Sequence, residues 1–190
     1  MLPAERYLCG MTLRKIALLG HPVLLARAEP VADVADPAVQ RLIDDMLATM
    51  ADADGIGLAA PQVYESLRIV VALELRDRAE RDGAAAHVLV NPELTPLGEA
   101  SELAFEGCLS MPGLRGRVPR HAGVGYRALD RHGIEVSGVA TGLFARVLQH
   151  EVDHLDGMLY PMRMTDLREL AFTSELPHLT VWLAQRGDVT

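Results

Sequence analysis

His150, Glu151 and His154 lie in the stretch Gln149-His150-Glu151-Val152-Asp153-His154-Leu155-Asp156-Gly157, which contains His-Glu-x-x-His. On a helix, residues four apart sit one above the other on a single face, so both imidazoles can reach one metal ion. Glu151 falls roughly 60° round the helix from His154 at 3.6 residues per turn, beside the metal without needing to bind it. A carboxylate placed there can take a proton from a water that the metal activates and return it to a leaving group. The pattern points to hydrolysis.

The competing reading is a solvated helix face that carries an ordinary i,i+4 pair of histidines. Flanking residues argue against it. Thr141 is a suitable N-cap and Gly157 a suitable stop, and Leu143, Val147, Leu148 and Leu155 mark an apolar stripe between them. The two histidines and the glutamate fall on or beside that stripe and point inward, where polar groups without partners are costly. A metal would supply the partners.

With two imidazoles as ligands, a catalytic metal still wants a third protein ligand and an open position for water. Cys108, in Glu106-Gly107-Cys108-Leu109-Ser110, is the best candidate, since a thiolate is a strong ligand and the metal itself removes the thiol proton. A lone cysteine is more commonly a small buried hydrophobe. Two things favour the metal: Gly107, which allows close backbone approach, and the lack of another good third ligand. Upstream, Gly55-Ile56-Gly57-Leu58-Ala59-Ala60-Pro61-Gln62 carries small side chains and two glycines that would let another chain come close. Its plain reading is a helix-exit loop. Gln62 is the exception, because a carboxamide just beyond a proline could donate to an oxyanion if it faced the metal.

The rest of the chain must position these groups. Asp36-Pro37 opens a helix that runs to about Asp54, with Val39, Leu42, Ile43, Met46, Leu47 and Met50 at core-packing intervals. Residues 67–75 read as a strand, 76–83 as a charged loop, and 87–90 as a second strand closed by Asn91-Pro92. Pro112, Gly113 and Gly116 mark a loop, 118–129 reads as a strand, and Asp130-Arg131-His132-Gly133 turns it into a return strand over 134–140. Beyond residue 164 the helical patches are interrupted by Pro177 and read as a peripheral, partly helical tail over 165–190. Antiparallel strands around one buried helix make an α+β domain over 12–164. Met11 is an alternative start, which would make residues 1–10 an extension, and a disordered N-terminal segment is expected over 1–11.

Bulk properties narrow the class. At 190 residues with 49% hydrophobic content, the chain is long enough for one domain with a real core. A formal charge of −8 argues against a nucleic-acid surface, which works through clustered Lys and Arg. No apolar run is long enough to cross a bilayer, and residues 1–10 do not read as a secretion signal. Only Cys9 and Cys108 occur, so a structural disulfide is not expected and a reducing, cytoplasmic setting is.

Three stretches singled out on chemical grounds together resemble the peptide deformylase family: Gly-Ile-Gly-Leu-Ala-Ala-Pro-Gln at 55–62, Glu-Gly-Cys-Leu-Ser at 106–110, and Gln-His-Glu-Val-Asp-His-Leu-Asp-Gly at 149–157. Each motif is unbroken, and they follow in the family's order. The similarity extends from about Leu13 to Met164. The resemblance implies one divalent metal on Cys108, His150 and His154, most often Fe²⁺, with Zn²⁺, Ni²⁺ or Co²⁺ as substitutes. It implies removal of the N-formyl group from the N-terminal methionine of new polypeptides, with release of formate. By the same resemblance Glu151 is general base and then acid, and Gln62 with the backbone N–H of Leu109 stabilises the oxyanion. Ile56, Gly57 and Gly107 would bind the substrate backbone as an added strand, and Leu143 and Val147 would line the methionine pocket. The implied partners are N-formylmethionyl nascent peptides, with the ribosome as a further candidate. Tyr160-Pro161-Met162-Arg163 departs from the acidic-hydrophobic segment expected after the third motif.

The alternatives are a hydrolase of the same fold for another N-acyl group, a zincin-type protease, and a non-catalytic metal- or peptide-binding module. The protease is disfavoured because only His178 follows His154 as a histidine ligand. The binding module has no need of Glu151 or Gln62.

Overall fold

The computed structural model describes residues 11–187 apart from residue 82. In chain order the described elements are α1 (Pro37–Asp52), β1 (Gly57–Ala59), β2 (Ile69–Leu73), β3 (Ala86–Pro96), β4 (Ser101–Cys108), β5 (Met111–His121), β6 (Gly123–Leu129), β7 (Glu135–Thr141), α2 (Gly142–Leu155), β8 (Leu170–Phe172) and α3 (Leu176–Gln185). These strands pair antiparallel throughout, in a five-stranded sheet ordered β1-β2-β3-β6-β7 and a three-stranded sheet ordered β4-β5-β8. The α+β class expected from the sequence holds.

The five-stranded sheet is buried on both faces. In β2 the β-branched run Ile69-Val70-Val71 alternates sides, as successive side chains on a strand must. Ile69 and Val71 meet Leu42, Ile43 and Met46 of α1. Val70 and Ala72 meet Phe144, Leu148 and Leu155 of α2. Helix α1 begins as the sequence indicates, with the Asp36 carboxylate accepting from the N–H of Ala38 at 2.7 Å and Pro37 in the first turn. Helix α2 is buried over most of its circumference, between the five-stranded sheet and β5. Thr141 stands at its N-cap without a capping bond from its side chain. Gly157 follows its end with φ 73°, and a Cβ there would press on the Leu25 carbonyl at 2.6 Å.

Three expectations are corrected. Asn91-Pro92 does not close its strand: β3 runs on to Pro96, and the pair forms a bulge where the register shifts between Val90 and Glu93. Asn91 takes φ 53°, and its carboxamide exchanges two 2.9 Å hydrogen bonds with the backbone of Val31, which a sequence window cannot reveal. The span 112–116 is strand, not loop, and 118–129 is two strands, not one. The chain leaves β5 at His121, crosses at Ala122 and enters the other sheet as β6. Gly116 belongs in β5 because Tyr160 and Met164 occupy the space its Cβ would need.

The chain beyond residue 164 differs from the pattern read there. Pro177 starts α3 in its first turn instead of interrupting a helix. β8 adds an edge strand to β5 through Leu114 to Gly116, Glu169 is buried against Arg117 at 3.1 Å, and Leu183 is buried. The N-terminal extension expected over 1–11 lies almost wholly outside the described residues.

Candidate metal centre and active site

The cleft between the two sheets has a volume of about 350 Å³. Ile56, Gly57, Gln62, Gly107, Cys108, Leu109, Leu143, Val147, His150 and Glu151 all line it. Of the residues singled out in the sequence only His154 is absent from the lining, because it lies behind the others and is 1% exposed. One wall comes from β1, at the free edge of the larger sheet, and the other from β4, at the free edge of the smaller one. Helix α2 forms the floor.

Cys108 arrives at the end of β4, and His150 and His154 stand one turn apart on α2. Their ligand atoms all lie within 4.8 Å of one another. Cys108 Sγ is 3.2 Å from His154 Nε2, and the two imidazole rings are 5.0 Å apart at 73°. A tetrahedral ion with metal–sulfur and metal–nitrogen distances of about 2.3 and 2.0 Å needs ligand atoms about 3.3–3.6 Å apart, which is within this spacing. The donor set of one sulfur and two nitrogens suits Fe²⁺, Zn²⁺, Ni²⁺ or Co²⁺ better than a hard, oxygen-seeking cation. The residues fit a metal.

Of the three candidate ligands, His150 and Cys108 are held from behind, whereas His154 Nδ1 is buried with no protein partner. His150 Nδ1 meets Glu106 Oε2 at 2.8 Å, which leaves Nε2 to face the cleft. Burial alone would lower the His150 imidazole, but contact with Cys108 and Glu106 raises it well above its usual value. Burial pushes His154 well below its usual value, toward the neutral form a metal requires. The Cys108 sulfur accepts from the Ser110 N–H and from Gln62 Nε2, both at 3.4 Å.

Gln62 is 1% exposed and its orientation is set. Its Oε1 accepts from the Ala59 N–H at 2.9 Å, and Nε2 also donates to Ser110 Oγ at 3.2 Å, so the amide hydrogens are turned toward the sulfur. The Glu151 carboxyl lies against Gly57, where any Cβ would overlap its oxygen. That close approach explains the second glycine of the first motif. Glu151 Oε2 is buried with no protein partner, and burial pushes the carboxyl up to about 7, near a working general base. Gly107 has a similar role, since the Arg115 guanidinium fills the place of its Cβ. The Leu109 side chain packs toward α1, and Gly55 leaves room for it.

The sequence reading missed a buried ion network behind the site. Glu106 accepts from Arg120 at 2.9 and 3.0 Å and from Arg146 at 2.9 Å. Arg120 also reaches Asp153 at 2.5 Å. Burial works against the Glu106 charge, but hydrogen bonds from His150 and Arg120 outweigh it and hold the carboxyl at about 2. A signal was present: Asp153 and Arg146 lie on the same buried helix as the histidines and need partners of opposite charge. Which partners they find depends on contacts 33 and 40 residues away.

A profile described as polypeptide deformylase matches residues 13–169. The chain is 43% identical over 166 residues to peptide deformylase 1 of Nitrosomonas europaea, covering 86% of this chain and 94% of that one. It is 44% identical over 166 residues to peptide deformylase 2 of Ralstonia nicotianae, with the same coverage. Among solved structures, a class I type b peptide deformylase from Acinetobacter baumannii with Met-Ala-Ser bound superposes with a TM-score of 0.74 at 37% identity, over 80% of this chain and 99% of that one. The Thermotoga maritima peptide deformylase gives 0.74 at 35% identity, over 82% and 99%. The chain therefore belongs to the polypeptide deformylase family, metal-dependent hydrolases that remove the N-formyl group from the N-terminal methionine of new polypeptides.

Proposed function

We propose that Cys108, His150 and His154 hold a single divalent ion, Fe²⁺ in the cell with Zn²⁺, Ni²⁺ or Co²⁺ as substitutes, and that the cleft above it deformylates nascent chains. The observation that carries this is the meeting of one sulfur and two imidazoles at the bottom of a cleft flanked by two unpaired strand edges. When bound, the ion polarises a carbonyl and acidifies a water.

The chain's own residues do the rest. Glu151 takes the proton of the attacking water and delivers it to the leaving amine, so formate departs and a free amino terminus remains. Gln62 Nε2 and the N–H of Leu109 meet the charge that develops on the formyl oxygen. The substrate backbone joins Ile56 and Gly57 on one side and Gly107 on the other as an added strand. Leu143 and Val147 contact its methionine. A formyl group carries only hydrogen beyond its carbonyl and fits where a chain continuing on both sides would not. Arg115, on the cleft wall above Gly107, faces the downstream part of the peptide.

The encounter takes place in the cytoplasm as chains leave the ribosome. With a charge of −8 the protein meets that assembly through the nascent peptide and not through a basic surface. No helix among the described residues is long and apolar enough to cross a membrane.

The test is formate release from formyl-Met-Ala-Ser by protein loaded anaerobically with Fe²⁺, beside Glu151→Ala. The parent is expected to turn over, and the variant to keep its metal while slowing by about 10²- to 10⁴-fold or more. Undiminished turnover in the variant would remove Glu151 from its role.

A further inference from the structure

Tyr160-Pro161-Met162-Arg163 folds as one 3₁₀ turn just beyond the end of α2 that carries His150 and His154. Pro161 sits in its first turn, and hydrogen bonds from Met162 N–H to Leu159 O at 2.8 Å and from Met164 N–H to Pro161 O at 3.3 Å close it. Both ends of the turn reach toward the metal ligands. The Tyr160 ring stacks on His150, with centroids 6.1 Å apart at 27°. Arg163 grips the neighbour of His154: its Nη2 is 2.7 Å from Asp153 Oδ1 and its Nε is 3.2 Å from Oδ2.

Asp153 is shared. The oxygen that takes Arg163 Nε also takes Arg120 Nη1, and Arg120 in turn holds both oxygens of Glu106, which holds His150. Arg120 thus stands between two buried carboxylates, and its position is the balance of their pulls. Arg163 satisfies Asp153 from the outer side, which leaves Arg120 free to keep its two-pronged grip on Glu106. Without Arg163, Asp153 would draw on Arg120 alone, and the guanidinium would shift away from Glu106.

Resting on the assignment of His150 as a metal ligand, we infer that the 160–163 turn is an outer brace of the metal centre, with Arg163 as a positioning residue acting on His150 through Asp153, Arg120 and Glu106. Partners that touch a metal ligand directly change metal affinity by about 10- to 100-fold when removed, so a residue that reaches His150 through three intermediates is expected to act by about 3- to 10-fold. Arg163 is half exposed, so most of its effect lies in aligning the buried groups and little in its own ion pair.

The experiment is titration of chelator-stripped protein with Co²⁺, read by the thiolate-to-cobalt absorption band, for the parent, Arg163→Met and Arg163→Lys. Arg163→Met is expected to bind Co²⁺ about 3- to 10-fold more weakly and to gain less in melting temperature on adding Co²⁺. Arg163→Lys, which keeps the charge but cannot span both oxygens, is expected to fall between. Parental affinity in Arg163→Met, or a melting temperature lowered equally with and without Co²⁺, would overturn the inference. Should Arg163→Met fail to fold, parental affinity in Arg163→Lys overturns it instead. If the parent itself forms no cobalt–thiolate band, the metal assignment falls and the brace falls with it, an outcome distinct from normal binding by parent and variant alike.

Discussion

The two sheets that face each other across the cleft are held together by different forces. The five-stranded sheet is packed on both sides by aliphatic side chains, with α1 on one face and α2 on the other. The three-stranded sheet has a smaller apolar cluster and depends more on buried ion pairs, Arg120 with Glu106 and Arg117 with Glu169. Packing is non-directional and tolerates small shifts, whereas ion pairs fix angles and fail when one partner is lost. The proposed metal centre draws on both halves. His150, Glu151 and His154 ride on the helix seated in the apolar half, while Cys108 and the Glu106 that orients His150 come from the ionic half. Damage to the first should lower stability and leave the ligands aligned; damage to the second should disturb both.

The largest contrast is expected at Glu106. Glu106→Ala leaves Arg120 and Arg146 buried without their shared carboxylate and frees the His150 ring. Stability should fall by about 3–5 kcal/mol and metal affinity by about 10- to 100-fold, as read by urea unfolding and Co²⁺ titration. The acid limb follows with its sign. The Glu106 pKa is lowered from 4.5 to about 2, so its contribution is complete above about pH 4.5 and is lost as pH falls toward 2. Acid unfolding of the parent should therefore steepen in that window, and Glu106→Gln should lack the extra slope.

Leu148→Ala is the counterpart in the apolar half. The residue is fully buried beneath the five-stranded sheet, so about 2–5 kcal/mol should be lost, with metal affinity of the folded protein unchanged. Equal loss of affinity in the two variants would erase the distinction. A smaller effect is expected at the seam between the halves. In Gly57→Ala the new methyl must displace the Glu151 carboxyl, so turnover should drop by about 10²-fold while metal content and fold persist. Tyr160→Phe should do least. The hydroxyl is buried with no protein partner, and its removal should raise stability by about 1 kcal/mol, as thermal unfolding would show.

What could be read from the sequence divides along the same line. Helix α1, helix α2 and the hairpin β6–β7 were legible because their signals are local: an Asp-Pro start, apolar residues at helical spacing, an Asp-Arg-His-Gly turn. So were the candidates: His150, Glu151 and His154 as polar groups on an inward-facing helix stripe, Cys108 as the third ligand the two histidines lacked, and Gln62 as a carboxamide just beyond a proline. The bulge at Asn91, the strand character of Gly113 to Gly116 and the switch of sheets at Ala122 were not, because each is decided by a distant partner such as Val31, Tyr160 or Ala100. The ion network was hidden for the same reason. Arg120 by sequence alone is one arginine in a strand; only the folded chain brings Glu106 and Asp153 to either side of it.

Metal stoichiometry tests the central claim most directly. The parent, Cys108→Ala, His154→Ala and Glu151→Ala are loaded with Fe²⁺ without oxygen, passed through a desalting column and assayed for bound iron. The account expects one ion per chain in the parent and in Glu151→Ala, and almost none in the two ligand variants. Iron retained at parental level by Cys108→Ala or His154→Ala would contradict it.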